Sequence, residues 1–305
     1  MDAPSLRPVA RLLPGAELAA QVLDLAARRA AALRAHGVLP TLALVSIGDD
    51  PASAVYLTRK QAEGEKAGIV VRSVRLSAGA EHASAFAVLD ELRTEPGVHG
   101  VLLQMPLPAG WPAQDLQLAI PASKDVDGFH PESLGRLALG LPGFVACTPK
   151  GVHALLVHHG IALAGKRVVI VGRSAIVGTP LALLLSRKGV DATVTLAHSR
   201  TEGLADVCRE ADVLVAALGV PRAIGAQHVR KGATVIDVGI HREPDPARPG
   251  KTRLVGDVDA NAVKGVAGAL SPVPGGVGPL TVAFLMSNTL DAAEAAARAA
   301  GVPIP

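Results

Sequence analysis

Residues 167–180, RVVIVGRSAIVGTP, set an uninterrupted apolar run against a glycine turn and a second apolar stretch, and few chain paths accommodate that order. Val168, Val169, Ile170 and Val171 have no polar residue between them, the pattern of a parallel strand buried on both faces. Gly172 can take backbone angles closed to other residues, and Gly178 lets a following helix lie close to the sheet or to a ligand. The helix is predicted to begin near Ile176 or Val177 and to continue through Leu181, Leu184 and Leu185. Its first-turn N–H groups could then receive a pyrophosphate, as in dinucleotide folds. The fingerprint is incomplete: Ser174 stands where the second glycine belongs, and Gly178 falls one residue late for the third. A plain connecting turn accounts for the pattern almost as well.

The next strand, predicted over 193–197, ends at His198-Ser199-Arg200-Thr201. An NAD site commonly presents a carboxylate to the ribose hydroxyls at this place. Hydroxyls and an arginine suit the added phosphate of NADP instead, and Arg173 could supply a second positive group. The alternative has Ser199 capping the next helix and both arginines solvated.

A chain of 305 residues, 49% hydrophobic yet 2% aromatic, predicts aliphatic cores shared by two α/β domains. The formal charge is +3, from 30 basic and 27 acidic residues with no dense basic block, which argues against a nucleic-acid partner. Cys147 and Cys208 are too few for a disulfide scaffold and lack metal-site spacing, so a reduced cytosolic protein is expected. The first fifteen residues contain no apolar signal core, and later apolar runs are broken by Gly, Pro or charge, so no membrane partner is expected.

Along the chain, a helix is predicted over 15–36, a buried strand over 41–47 and, with Ser53 as cap, a helix to about residue 67. That helix carries Tyr56 and Lys60, four apart and so on one face, which ordinary helix surface also explains. A strand over 69–76, a helix over 81–95 and a strand over 98–105 follow. Gln104 thus falls at a strand's carboxyl end, where parallel-sheet enzymes place ligand groups, although a satisfied loop amide reads the same way. In KDVDGFHP, 124–131, Asp125 and Asp127 lack the companions of a metal motif, and no metal is predicted. Asp127 could accept two hydrogen bonds from an amino heterocycle, and Cys147 is read as packing. Strands are predicted over 212–218 and 234–238, with Gly219 and Gly239-Ile240 bringing backbone close to a dinucleotide. Residues 241–253 read as a polar surface excursion, and 271–279, SPVPGGVGP, as a stiff ligand loop before a helix over 280–288.

These motifs, taken in order, resemble the bifunctional methylenetetrahydrofolate dehydrogenase/methenyltetrahydrofolate cyclohydrolase family over nearly the whole chain. The likeness is carried by YLTRK at 56–60, GVLLQMPLP at 100–108, KDVDGFH at 124–130, CTPKG at 147–151, GRSAIVG at 172–178 and PVPGGVGP at 272–279. Small departures are Met105, Ala146, His241 and Ser271, where the family often has leucine, proline, asparagine and threonine. The resemblance implies an N-terminal α/β catalytic domain over 1–146, completed by a returning helix over 287–305, around a Rossmann-like NADP-binding domain over 147–286. It also implies a folate cleft where the domains meet, and a cytoplasmic homodimer. By the same resemblance Lys60 is the principal catalytic residue, Gln104 tunes or positions it, Tyr56 contacts folate and Asp127 binds the pterin end. Gly275, Gly276 and Pro279 would serve the substrate. Gly172, Arg173, Ser174, Ile176, Val177, Gly178, Ser199 and Ile240 would serve NADP. The implied reactions are NADP-dependent oxidation of 5,10-methylenetetrahydrofolate to the methenyl compound, then its hydrolysis to 10-formyltetrahydrofolate. A cyclohydrolase without redox activity, a dehydrogenase of another small substrate and a non-enzymatic folate binder stand as alternatives.

Overall fold

The computed structural model describes residues 9–248 and 250–304. In chain order the first elements are β1 (Arg11–Leu12), α1 (Ala16–Ala35), β2 (Thr41–Ile47), α2 (Pro51–Lys66), β3 (Val70–Leu76), α3 (His82–Thr94) and β4 (Gly100–Leu103). Next come α4 (Ala113–Ala119), α5 (Pro131–Ala138), α6 (Cys147–His158), β5 (Arg167–Val171), α7 (Gly178–Ser186), β6 (Thr193–Ala197) and α8 (Leu204–Arg209). The remainder is β7 (Val213–Ala216), β8 (Thr234–Asp237), β9 (His241–Pro244), β10 (Thr252–Val255), α9 (Ala260–Val263), β11 (Ala269–Leu270) and α10 (Val277–Ala299). The chain divides into two compact units, Ala19–Cys147 with 282–304, and 9–18 with Thr148–Thr281. Both are α/β, the expected class.

The first of these units is built on a parallel sheet in the order β3-β2-β4. Every residue of β2, TLALVSI, is buried, because a central strand with helices over it has no solvent face. Ala43, Val45 and Ile47 pack with Leu89 and Leu92 of α3 and with Leu116 and Ile120 near α4. The last helix is tied to this unit by polar contacts. Asn288 is buried and its Nδ2 donates to the carbonyls of Val126 at 2.9 Å and Val145 at 3.2 Å. Arg29 of α1 bridges Asp291 at 2.6 Å and Glu294 at 2.7 Å.

The second unit holds a wholly parallel sheet in the order β1-β11-β8-β7-β5-β6. From β5 the chain first adds β6 on one side and then crosses to β7 on the other. Direction therefore reverses between β5 and β7, which opens a crevice at the strands' carboxyl ends. Gly172 has φ +134°, and a Cβ there would stand 2.0 Å from the Ala217 carbonyl oxygen. A Cβ on Gly178 would stand 1.9 Å from the Gly172 oxygen, so α7 begins in direct backbone contact with the turn that precedes it.

Several boundaries differ from the sequence reading. Residues 9–18, expected in the N-terminal domain, cluster with the nucleotide-type sheet because β1 pairs with β11 and Leu13 is fully buried; residues 1–8 lie outside the described residues. The polar stretch 241–253, with Leu254 and Val255, forms an antiparallel hairpin in which His241 faces Val255 and Pro244 faces Thr252. α2 begins at Pro51, two residues before the expected cap, since proline's fixed φ suits a first helical position. The two helices read over 280–288 and 287–305 are one, α10. No helix among the described residues is long and apolar enough to cross a membrane.

The contact at Gly178 has a measurable consequence. Gly178→Ala forces the helix away from the turn and should destabilise the protein by about 1–3 kcal/mol. Urea unfolding checks this, and an unchanged midpoint would show that the helix tolerates displacement.

Candidate active site and cofactor loop

α2 presents Tyr56 and Lys60 one turn apart, both half-buried. β4 ends at Leu103, so Gln104 leaves the sheet at its carboxyl edge, and the Lys60 Nζ donates to Gln104 Oε1 at 2.9 Å. The amide is oriented from its other end, where Nε2 donates to the Met105 carbonyl at 2.6 Å. Asp127 arrives from the turn that follows the bridge between Val101 and Asp125. Gly128, at φ +79°, lets this turn press against Val145 and Ala146; a Cβ there would lie 2.7 Å from the Ala146 nitrogen.

Lys60 and Asp127 feel each other's charge. Burial holds the Lys60 ammonium below its ordinary pKa, opposed by the negative field of Asp127 and by Cys147. Burial likewise pushes the Asp127 carboxyl up, opposed by Lys60 and by a hydrogen bond from the Cys147 thiol. In both groups desolvation exceeds the attraction between them, so each neutral form is more accessible than in water. Both side chains keep some solvent contact although protein surrounds them, as groups at the bottom of a recess do.

Asp125 behaves differently from its neighbour. It is fully buried, its Oδ2 accepts from the His130 N–H at 2.5 Å, and Gln117 Nε2 donates to its Oδ1 at 3.0 Å. Burial pushes it up to about 6. Its hydrogen bonds shape the turn that presents Asp127. Cys147, read from sequence as packing, is buried, with its Sγ 3.4 Å from the Val126 carbonyl and 3.6 Å from Asn288 Nδ2. It also touches Asp127, a contact that sequence reasoning missed and that only the CTPKG likeness could have suggested. Among the described residues no group of three or more His, Cys, Asp or Glu could hold a metal ion.

In the other unit, Arg173, Ser174 and Ile176 are exposed on the turn after β5, Val177 is half-buried and Gly178 buried. Ser174 Oγ accepts from the Val177 N–H at 3.2 Å, which shapes the turn internally. Ser199 is exposed just beyond β6, the neighbour of β5, with Val171 opposite Ala197. It caps no helix, since α8 starts after Gly203. The close-packed glycines, the exposed turn backbone and the lack of a carboxylate at 198–201 fit a phosphorylated dinucleotide. Ile240 is exposed after β8, and a Cβ on Gly278 would lie 3.4 Å from its Cδ1. Gly275, at φ +105°, Gly276 and Pro279 stand around the start of α10 in this same unit, whereas Tyr56, Lys60, Gln104 and Asp127 all belong to the other. Sequence reasoning also missed two buried carboxylates behind Ile240, Asp237 and Asp257.

A glycine-turn dinucleotide fold in one unit and a lysine–amide–carboxylate recess in the other define a nucleotide-dependent α/β enzyme. The family model of the tetrahydrofolate dehydrogenase/cyclohydrolase catalytic domain matches residues 13–127, and that of the same family's NAD(P)-binding domain matches 146–297. The chain belongs to the tetrahydrofolate dehydrogenase/cyclohydrolase family. It is 53% identical over 289 residues to the bifunctional protein FolD of Treponema pallidum strain Nichols, covering 94% of this chain and 92% of that one. Among solved structures, it is similar to the bifunctional FolD of Campylobacter jejuni, with TM-score 0.87, 38% identity and coverage of 94% of this chain and 99% of the other. The Trypanosoma brucei dehydrogenase-cyclohydrolase complexed with NADP cofactor and inhibitor gives TM-score 0.90, 34% identity and coverage of 95% and 99%.

The depressed Lys60 fixes the sign of a pH effect. An amine whose folded pKa lies below its unfolded value of 10.5 costs stability at neutral pH, and that cost disappears as pH rises through the interval between the two. Relative to Lys60→Met, the wild-type protein should therefore gain stability as pH climbs toward 10.5. Parallel chemical unfolding of the two proteins across that range checks it; a constant difference would mean that Lys60 is not perturbed.

Proposed function

We propose that this chain is a bifunctional enzyme that oxidises 5,10-methylenetetrahydrofolate with NADP+ and hydrolyses the resulting 5,10-methenyltetrahydrofolate to 10-formyltetrahydrofolate. The observation that carries the reading is the Lys60 amine, held by Gln104 at 2.9 Å and disfavoured by burial from carrying its proton, in a chain of this family.

NADP, when bound, supplies the hydride acceptor. Loss of hydride leaves the one-carbon bridge as an electron-poor amidinium centre, and water adds to it without a second substrate encounter. The neutral Lys60 amine takes a proton from that water as the C–O bond forms; the C–N5 bond of the adduct then breaks as N5 receives a proton and the hydroxyl loses one, which opens the ring, leaves the formyl group on N10 and releases one proton net. Gln104 suits this role because its amide oxygen orients the amine without the negative charge that would stabilise an ammonium. Asp127 accepts hydrogen bonds from the amino-heterocycle end of the folate, and Tyr56 lies against the substrate one turn from Lys60. Gly275, Gly276 and Pro279 also serve the substrate. Gly172, Arg173, Ser174, Ile176, Val177 and Gly178 hold the dinucleotide phosphates, with Ser199 and Arg173 at the added phosphate and Ile240 against the cofactor. The folate domain corresponds to 19–147 completed by 282–304, and the remainder binds NADP. A homodimer in the cytoplasm is the assembly and place that the family resemblance supports.

Lys60→Met keeps an apolar stem and deletes the titratable head. Methenyl hydrolysis should be abolished and hydride transfer reduced less, in paired single-turnover assays on folded protein. Near-normal hydrolysis would remove Lys60 from the mechanism. Arg173→Ala should weaken NADP by about 1.5–3 kcal/mol while weakening NAD less, through loss of a charge-assisted contact. Equal weakening of both nucleotides would assign Arg173 to the pyrophosphate or to folding.

A further inference from the structure

Two buried carboxylates in the nucleotide unit hold the backbone that leaves adjacent strand ends. Asp257 has no solvent exposure, and its Oδ2 accepts the N–H groups of Leu218 at 2.6 Å and Gly219 at 2.9 Å, on the segment after β7. Its Oδ1 lies 2.7 Å from Nε2 of His241, on the segment after β8. Asp237, at the end of β8, accepts from the N–H groups of Gly239 at 3.0 Å and Asp257 at 2.9 Å through Oδ1, and from Val258 at 3.0 Å through Oδ2. The Asp237 N–H in turn donates to Ser271 Oγ at 2.8 Å.

The packing is tight enough to dictate glycine on both sides. A Cβ on Gly239 would meet Asp257 Oδ1 at 2.2 Å, and one on Gly256 would meet Asp237 Oδ2 at 1.8 Å. These bonds do not hold the sheet, whose strands already pair through backbone ladders from β7 to β8. They hold what emerges from it: Gly219, Val220 and Ile240 are exposed above backbone that Asp257 and Asp237 fix from beneath. The segments leave the same carboxyl edge as the Gly172 turn, since Val171 of β5 pairs with Ala216 of β7 and Gly172 packs against Ala217.

We propose that Asp257 is a positioning residue for NADP, acting with His241 to set the Leu218-Gly219 and Gly239-Ile240 backbones that flank the cofactor. The inference rests on the reading of this unit as the NADP site. His241 matters as a donor: its ring N–H fills the one face of Asp257 that the Leu218 and Gly219 amides do not use. An asparagine side chain there could donate in the same direction, whereas alanine leaves the buried oxygen without that hydrogen bond.

The test measures NADP dissociation constants by calorimetry and steady-state constants for both activities in Asp257→Asn, His241→Ala and His241→Asn. Asp257→Asn replaces an accepting oxygen by a donor, which must face either the two amides or the histidine, and NADP binding and its KM should weaken about tenfold. His241→Ala should weaken both about threefold, and His241→Asn should restore near wild-type values. The folate KM and the rate of methenyl hydrolysis, which consumes no NADP, should stay within about twofold, whereas loss of folded enzyme would lower both activities and leave KM unchanged. Wild-type NADP affinity in folded Asp257→Asn, or equal loss of both activities at constant KM, would overturn the assignment. Should Asp257→Asn fail to fold, His241→Ala decides alone, and unaltered NADP affinity there overturns it. Failure of the wild-type protein to bind NADP would instead overturn the reading of the unit as its site.

Discussion

Parallel pairing is the constraint from which the rest of this structure follows. A parallel strand can be reached only through a crossover, so every strand of a sheet points the same way and its loops collect at the carboxyl edge. Both main sheets are wholly parallel. In one, that edge delivers Gln104 to Lys60; in the other the Gly172 turn, Gly219 and Ile240 all follow strands that end at it. The cost is burial on both faces, which the chain meets with aliphatic strands such as TLALVSI and RVVIV rather than alternating ones.

In the proposed mechanism, burial is also what lets the lysine accept a proton. An exposed amine at neutral pH is protonated and cannot accept a proton from water. Around Lys60, desolvation outweighs the field of Asp127, and the hydrogen-bonding group at 2.9 Å is a neutral amide. A carboxylate in place of Gln104 would hold the proton on the amine. The neighbouring carboxylates divide the remaining labour: Asp125, fully buried and saturated with hydrogen bonds, builds the turn, and Asp127 faces the recess.

A similar division recurs in the nucleotide unit, between exposed groups and the buried carboxylates beneath them. Arg173, Ser199 and Ile240 are exposed, while Asp237 and Asp257 sit beneath with most of their acceptor capacity spent on backbone N–H groups. A buried carboxylate is tolerated because those amides satisfy it. Glycines at 239 and 256 are the covalent signature of that arrangement.

Local signals in the amino-acid order determined the central strands, because a run such as Val168 to Val171 or 41–47 admits one buried environment, and they determined Gly172 and Gly178 as the joint between strand and helix. Motif likeness determined the family and grouped Lys60, Gln104 and Asp127, though they lie far apart in the chain. Tertiary structure alone decided that Arg11-Leu12 is a strand, since it carries no strand signal until β11 offers an edge to pair with. It decided that the polar 241–253 stretch folds with Leu254 and Val255 into a hairpin. It also decided that Asp257 serves Leu218, Gly219 and His241, and that Cys147 touches Asp127. Side-chain hydrogen bonds between distant segments leave no periodicity in a sequence; they exist only once folding has brought their donors and acceptors within about 3 Å of each other.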